Sequence, residues 1–315
     1  MDRLERKKQK KLINLNDTLM VTLRTVNSLI GNSMDEASLK RHRKGMERAG
    51  LLAAPKNDIL VTPFNVEGIE CEEIAPEFAH NPAIAILYAH GGGYVTGNLN
   101  YARILGAKLA LSTGFTAFSF DYRLAPENPY PAALDDAMKV WNCLTERYSP
   151  ENILIAGDSA GGNLALCLTQ KLLTEGKTPP RMLLLFSPWT DMTATAPSYE
   201  TYEDKDPILT KEYVTEAAKA YISGQGGFED ERFSPLFGRL NGLPPVYIMA
   251  GQNEILLDDS LRLHDQILKN GGTATLDIEE DGWHVYQQMP IALATQAMKR
   301  LSAHVSSVIY GKTPD

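Results

Sequence analysis

The sequence predicts an α/β fold built on a mostly parallel, doubly wound sheet. Short apolar runs typical of buried strands alternate with longer segments in which apolar residues recur at helical spacing. Strands separated by helices are joined by right-handed crossovers, which makes the paired strands parallel. The chain has 315 residues, a length at which one α/β core with insertions is common. In such sheets the active site lies at the carboxyl ends of the strands.

The first part of the chain predicts helices and then a pair of strands. Residues 12–50 carry apolar residues at helical spacing followed by a charged segment, which indicates two helices ahead of the sheet. Residues 61–73 alternate loosely and contain Pro63 and Gly68, as expected of two edge strands joined by a turn. The continuous apolar run over 84–89 predicts a strand covered on both faces.

Helical and strand patterns then alternate to the end of the chain. The strands are predicted from short apolar runs and the helices from apolar residues at helical spacing. The predicted elements are a helix over 101–111, a strand over 115–122, a helix over 132–148, a strand over 153–157 followed directly by a helix, strands over 182–186 and 246–250, a helix over 259–269, a strand over 273–278 and a helix over 291–309.

Residues 191–240 break this alternation, because they are too long for a simple connection between two core strands. The segment contains one helical pattern, over 211–221, and its tyrosines favour a folded segment over a disordered surface insertion. We therefore expect residues 56–190 and 241–315 to form a catalytic core. Residues 1–55 and 191–240 are expected to form a cap over the strand ends.

Charge and composition limit the possible functions. The net charge of −8 argues against a general affinity for nucleic acid or anionic membranes. Residues 1–11 are basic but lack the apolar stretch and cleavage site of a signal peptide, and no apolar run approaches the roughly 20 residues of a membrane span. A cytoplasmic location is predicted. Cys71, Cys143 and Cys167 are widely spaced and odd in number, which predicts buried thiols and neither a disulfide framework nor a metal site.

A Gly-x-Ser-x-Gly sequence over 157–161 lies between an apolar run and small, helix-compatible residues. This pattern predicts a strand, a sharp turn and a helix, with Ser159 at the exposed tip of the turn. The flanking glycines remove side chains that would collide across such a turn. The context is that of a nucleophile elbow, in which the residue after the serine opens a helix and directs its N–H at the reacting oxygen.

A glycine run follows the first fully apolar strand, in His90-Gly91-Gly92-Gly93-Tyr94. Consecutive glycines let backbone N–H groups approach a ligand atom, and two such donors can hold a developing oxyanion. A phosphate-binding loop is the alternative, but the chain lacks both a Gly-x-Gly-x-x-Gly sequence and a following Lys-Ser/Thr pair. We expect His90 to brace this loop by hydrogen bonding and not to act as a catalytic base.

The catalytic base should lie late in the chain, because hydrolases with this elbow use the order Ser, Asp or Glu, and then His. His264 and His304 lie within helical patterns and are expected at the surface. His284 follows the last predicted strand in a loop that contains a glycine, so it can reach Ser159. His284 is the predicted base.

The triad acid should follow the predicted strand over 246–250. Glu254 is the first carboxylate after that strand and lies on the loop. Asp258 and Asp259 are expected in the first turn of the next helix, where the helix dipole stabilises acidic side chains. We predict Glu254 as the acid, which would orient and stabilise the imidazolium of His284, and keep Asp258 as the alternative.

These motifs together resemble the hormone-sensitive-lipase family of α/β-hydrolases, which includes microbial carboxylesterases and acetyl esterases. The resemblance extends from about residue 80 to the end of the chain. The matching stretches are residues 90–93, 121–127, 129–133, 157–163, 187–189 and the His284 loop.

The resemblance implies an α/β-hydrolase fold with a helical cap, no metal and no organic cofactor. It implies Ser159 as nucleophile, His284 as base, and the backbone amides of Gly92, Gly93 and Ala160 as the oxyanion hole. Many relatives carry Asp-Pro-Leu where this chain has Glu254-Ile255-Leu256, so the acid departs from the family pattern.

The expected function is that of a serine carboxylesterase that hydrolyses short-chain, acetyl-type esters through a Ser-His-Glu triad and an acyl-enzyme. The partner is then a small-molecule ester, with no nucleic acid and no membrane span, and a homodimer is possible. An amide or peptide hydrolase would share the same triad. A non-catalytic ligand-binding member is the third alternative, against which the presence of His284 stands.

Overall fold

The computed structural model describes residues 20, 22–25, 32–55, 57–78 and 80–311. Within this part of the chain, eight strands form one sheet. The strands are β1 Ile59–Val66, β2 Ile69–Pro76, β3 Asn81–Ala89, β4 Phe115–Phe120, β5 Ile153–Asp158, β6 Met182–Phe186, β7 Val246–Gly251 and β8 Ala274–Glu279. The helices are α1 Glu36–Ala53, α2 Leu99–Thr113, α3 Ala132–Thr145, α4 Ala160–Thr174, α5 Ser198–Thr201, α6 Lys211–Ile222, α7 Leu257–Lys269 and α8 Ala292–Tyr310.

The sheet is mostly parallel, as predicted. Its strand order is β1-β2-β4-β3-β5-β6-β7-β8, and β3 to β8 pair in parallel. β1 and β2 form an antiparallel hairpin, and β2 pairs antiparallel with β4. The prediction of two edge strands is therefore wrong for β2, which lies inside the sheet. The reason is that β2 buries Cys71 and Ile74 and pairs them with Phe120 and Ala117 of β4.

Helices cover both faces of the sheet, which confirms the doubly wound arrangement. On one face, α3, α4 and α7 contribute Trp141, Leu164 and Leu263 to the core. On the other face, α2 and α8 contribute Leu105 and Leu301. β4 to β7 are buried along their whole length, so their sequences read as continuous apolar runs.

The second of the two predicted amino-terminal helices is present as α1. Asp35 caps its first turn by accepting a hydrogen bond from the Ser38 N–H at 3.0 Å. Arg43 of α1 donates to the backbone oxygens of Val95 and Ala125 at 2.9 and 3.0 Å, so this helix is anchored beside the glycine loop. Most of the first predicted helix lies outside the described residues. Within the described part of that segment, residues 22–25 are helical.

Residues 191–240, here called the insertion segment, are folded and packed on the core. The segment contains α5 and α6, and Tyr199 and Tyr221 are completely buried. The Tyr221 ring stacks on Tyr94 of the glycine loop with 3.7 Å between ring centroids. The backbone oxygen of Phe233 accepts a hydrogen bond from Asn163 of α4 at 2.8 Å. The aromatic residues of this segment are therefore used to attach it to the core.

The cysteines are free thiols, as predicted, although one is less buried than expected. Cys71 and Cys167 are buried, whereas Cys143 is half-buried because it packs only at the margin of the core. Among the residues described, no cluster of His, Cys, Asp or Glu is arranged to hold a metal ion. In the same residues, every helix is too short or too polar to cross a bilayer.

Candidate active site

Ser159 occupies a strained turn between β5 and α4. Its backbone has φ 55° and ψ −121°, a conformation that side chains rarely adopt and that surrounding packing must maintain. A Cβ on Gly157 would lie 2.1 Å from the Gly161 oxygen, and a Cβ on Gly161 would lie 2.1 Å from the Ala89 oxygen. Only glycine fits at these two positions, which confirms the physical argument for the elbow.

The expectation that Ser159 would be exposed is wrong, because the residue is only 8% accessible. The Ser159 N–H donates to the Phe186 oxygen at 2.9 Å, and the Trp189 N–H donates to the Ser159 oxygen at 3.1 Å. The backbone of the turn is thus bonded both to the end of β6 and to the loop that follows β6. Ser159 lines a cavity that is partly covered by other segments of the chain.

Ser159, His284 and Glu254 form a continuous hydrogen-bonded chain. His284 Nε2 lies 3.0 Å from Ser159 Oγ, and His284 Nδ1 lies 3.0 Å from Glu254 Oε2. The second carboxylate oxygen of Glu254 accepts the Gly251 N–H at 3.0 Å. Glu254 is completely buried and His284 is nearly so. The structure therefore brings together the three side chains that the sequence singled out.

The alternative acid, Asp258, lies elsewhere. It belongs to the first turn of α7, and its carboxylate accepts the Ser198 N–H at 2.8 Å. Its neighbour Asp259 is buried and accepts the N–H groups of Thr190 and Asp191 at 2.7 and 2.8 Å. Both aspartates connect α7 to the start of the insertion segment, so it is Glu254 that bonds to the imidazole.

The surroundings of His284 favour its charged form. Burial opposes the charge, but the hydrogen bond and charge of Glu254, together with the charges of Asp206 and Asp158, outweigh it and raise the pKa of His284. An imidazolium formed by taking a proton from Ser159 would therefore be stabilised where it forms.

The glycine loop presents N–H groups beside the serine. Gly92 and Gly93 have φ values of 113° and 64°, and the Gly92 oxygen accepts the N–H groups of Val95 and Thr96. Within the described residues, no carbonyl or carboxylate accepts from the N–H groups of Gly92, Gly93 or Ala160. Gly92, Gly93 and Ser159 line the same cavity, so the N–H groups of the two glycines are available to a ligand oxygen there.

His90 braces the glycine loop, as predicted. Its Nδ1 lies 2.7 Å from the Gly91 oxygen, and its ring stacks on Tyr122 with 4.2 Å between centroids. The Tyr122 hydroxyl donates to the His90 oxygen at 2.7 Å. Burial lowers the pKa of His90 to about 4, so the ring is neutral. The hydrogen bond to Gly91 and the stacking on Tyr122 hold it in place.

Asp158, which the sequence analysis did not single out, connects three parts of the site. Its carboxylate accepts hydrogen bonds from the Tyr88 hydroxyl, from the Gly91 N–H at 2.9 Å and from Gln288 at 3.2 Å. Burial raises the pKa of Asp158 to about 6, against these hydrogen bonds and the charge of His284. The elbow, the glycine loop and the His284 loop are thus held by one buried carboxylate.

A cavity of about 810 Å³ opens above the serine. Ser159, His284 and the two glycines Gly92 and Gly93 lie on its floor. The walls come mainly from α1, from the insertion segment, from the loop after His284 and from the residue before α7, and most of the residues are apolar. They include Met46, Ala49, Ile208, Leu209, Val214, Ala217, Leu256 and Met289. A mainly apolar cavity with few polar groups is typical of a site for a small organic ligand.

Comparison with known proteins agrees with this arrangement. Residues 86–288 match the sequence model of a family described as having the alpha/beta hydrolase fold. The chain is 37% identical over 214 residues to an esterase of Acinetobacter venetianus, covering 67% of this chain and 70% of that one. It is 32% identical over 247 residues to an acetyl-hydrolase of Streptomyces hygroscopicus, covering 77% and 79% of the two chains.

A solved structure is similar over almost the whole chain. It is an esterase from the bacterial hormone-sensitive lipase family, 31% identical, with a TM-score of 0.85 over 93% of this chain and 98% of that one. The chain belongs to the hormone-sensitive-lipase family of α/β-hydrolases, which confirms the resemblance and the predicted fold. It is a serine hydrolase that acts on ester bonds, so the non-catalytic alternative is not retained.

Proposed function

We propose that the chain is a carboxylesterase for short-chain acyl esters, in which Ser159 is the nucleophile, His284 the base and Glu254 the acid. The observation that carries this proposal is the hydrogen-bonded chain from Ser159 through His284 to Glu254, with 3.0 Å at each step. Ser159 and His284 line a mainly apolar cavity. The similarity to an acetyl-hydrolase supports the preference for short acyl groups.

In the first half of the reaction, Ser159 Oγ attacks the ester carbonyl carbon while His284 Nε2 accepts the hydroxyl proton. The carbonyl oxygen becomes an oxyanion, and the N–H groups of Gly92, Gly93 and Ala160 donate to it. Glu254 holds the Nδ1–H of His284 and stabilises the imidazolium. The tetrahedral intermediate then collapses as His284 gives its proton to the leaving alcohol.

The second half of the reaction returns the enzyme to its starting state. A water molecule takes the place of the alcohol, and His284 accepts its proton as the oxygen attacks the acyl-enzyme carbonyl. The bond between Ser159 Oγ and the acyl carbon then breaks, and His284 returns the proton to the serine. One ester and one water give one carboxylic acid and one alcohol.

We also propose that residues 1–55 and 191–240 act together as a cap on the core of residues 56–190 and 241–315. The contribution of α1 and the insertion segment to the cavity walls supports this division. Closure of the cavity would exclude bulk water and strengthen each electrostatic interaction at the serine. The cytoplasmic location and a homodimer stay predictions.

The test is a series of initial rates on nitrophenyl esters from acetate to laurate, with aminoacyl nitroanilides measured in parallel. The proposal predicts the highest kcat/KM on acetate or butyrate and far lower rates on the anilides. Ser159→Ala, checked for folding, is expected to abolish turnover. Faster hydrolysis of octanoate or longer esters would overturn the chain-length assignment, and faster hydrolysis of the anilides would favour an amide hydrolase.

A further inference from the structure

We propose that Asp206 is a positioning residue for the triad, which ties the insertion segment to the loop carrying Glu254 and places a negative charge beside His284. This inference rests on the proposed function, because it concerns the same three side chains. It assigns a role to a residue that neither the motifs nor the family resemblance indicated. Asp206 acts through Glu254 and His284 and carries out no chemical step itself.

The carboxylate of Asp206 is buried and bonded entirely to backbone. The residue is 3% exposed, and its Oδ1 accepts the N–H groups of Ile208 and Leu209 at 2.8 and 3.0 Å. Its Oδ2 accepts the N–H of Ile255 at 3.0 Å. Ile255 directly follows Glu254, so one end of this carboxylate holds the peptide unit that carries the triad acid.

The insertion segment satisfies both backbone groups of Ile255. Asp206 accepts its N–H, and the Ser198 hydroxyl donates to its oxygen at 2.6 Å. Ile255 is also completely buried, so neither bond can be replaced by solvent. The position of Glu254, whose Oε2 lies 3.0 Å from His284, therefore depends on a segment from a different part of the fold.

The charge of Asp206 also acts on the base. Asp206 and His284 line the same cavity. Three buried carboxylates, Glu254 after β7, Asp206 in the insertion segment and Asp158 at the end of β5, each raise the pKa of His284 against its burial. Burial raises the pKa of Asp206 to about 6, and the charge of His284 opposes this rise. Among the described residues, no Lys or Arg forms an ion pair with Asp206, and the other charged residues that line the cavity with it and His284 are Arg24, Glu203 and Asp204.

Replacing Asp206 by Asn separates these contributions. The amide oxygen can still accept from Ile208 and Leu209, but the amide NH₂ then faces the Ile255 N–H, and the negative charge is gone. We expect kcat/KM on nitrophenyl butyrate to fall about 10- to 100-fold, mainly through kcat, because a small displacement of Glu254 misaligns His284. The acid limb of the pH profile is expected to move to lower pH, because the imidazolium loses one anionic neighbour.

Two further variants keep the test specific. Asp206→Glu retains the charge, so its acid limb should stay near that of the wild type even where kcat falls. Glu200→Gln removes an acid of the same insertion segment whose side chain is 79% exposed, and its rate and pH profile should match the wild type. Circular dichroism and thermal unfolding of each variant report whether it is folded.

A folded Asp206→Asn variant with the wild-type acid limb would overturn the charge role, and one with wild-type kcat would overturn the positioning role. Failure of both Asp206 variants to fold would also overturn the proposal, since Asp206 would then serve stability alone. A wild-type enzyme without esterase activity, or an active Ser159→Ala variant, would instead contradict the proposed function. The two failures are therefore distinguishable in one set of measurements.

Discussion

Replacing Glu254 by Gln is the sharpest test of the triad acid. In the structure one carboxylate oxygen accepts the Gly251 N–H and the other faces His284 Nδ1, both at 3.0 Å. A Gln side chain offers one acceptor and one donor for these two neighbours. If its oxygen serves Gly251, its NH₂ faces Nδ1, which forces the imidazole proton onto Nε2. Nε2 then donates towards Ser159 and can no longer accept the serine proton.

The size of the effect follows from the two ways in which Gln can be placed. The wrong imidazole tautomer costs about 10⁴ in kcat in the serine-protease template, which corresponds to about 5.5 kcal/mol of transition-state stabilisation. The reverse placement leaves two N–H groups facing each other at Gly251, and a buried unpaired group costs about 1–3 kcal/mol of stability. We expect a folded Glu254→Gln protein with kcat reduced about 10⁴-fold.

The assay is the steady-state rate on nitrophenyl butyrate, with Asp258→Asn as the matched control. Asp258 bonds to Ser198 and not to the imidazole, so its substitution should change kcat less than about threefold. A Glu254→Gln protein that keeps more than a tenth of the wild-type kcat would refute the assignment of Glu254 as the triad acid. An inactive but folded Asp258→Asn variant would move the acid to that residue.

Three further predictions concern pH and packing. kcat/KM should fall about tenfold per pH unit below the pKa of His284, which lies above the ordinary imidazole value, because the base must be neutral to accept a proton. Gly161→Ala should lower the free energy of unfolding by about 3 kcal/mol, because its Cβ would lie 2.1 Å from the Ala89 oxygen. Asn163→Ala should lower the free energy of unfolding by about 3 kcal/mol, because the side chain loses three buried hydrogen bonds, to Tyr94, Trp189 and Phe233.

The pH profile is measured on kcat/KM from pH 4 to 9, and an acid limb below the value of free imidazole would contradict the raised pKa. The two stability predictions are measured by urea unfolding. Gly45→Ala is the control for the glycine, because its Cβ meets nothing within 4 Å and α1 should gain stability. Neutral substitutions change stability by up to about 0.5 kcal/mol. A Gly161→Ala protein as stable as Gly45→Ala, or an Asn163→Ala protein within about 0.5 kcal/mol of the wild type, would therefore contradict the close packing at these two positions.

The strand ends and their motifs could be predicted because their signals are local. The elbow needs Gly157 and Gly161 within five residues of sequence, and the glycine loop directly follows β3. His284 could be chosen because the order of the triad along the chain is fixed by the topology. Glu254 can be preferred to Asp258 as the acid because Glu254 lies in the loop after β7, whereas Asp258 lies in the first turn of α7.

Contacts between distant segments could not be predicted from the sequence. Asp206 bonds to Ile255 across 49 positions of the chain, and Asp158 bonds to Gln288 across 130. Both are fully buried acids, whereas aspartates are mostly exposed, so residue type alone does not indicate such contacts. The low exposure of Ser159 has the same origin, since the insertion segment and α1 contribute to the walls of the cavity above it.

Capture of the acyl-enzyme tests the central claim most directly. The purified protein is mixed with nitrophenyl acetate, quenched in acid during the first turnovers, and digested for peptide mass spectrometry. We expect one acetyl group on Ser159, which is absent from the Ser159→Ala protein and accumulates only slowly in the His284→Ala protein. Rapid turnover with no acetylated Ser159, or an acetyl group on another residue that forms and is hydrolysed at the catalytic rate, would contradict the assignment of Ser159 as the nucleophile.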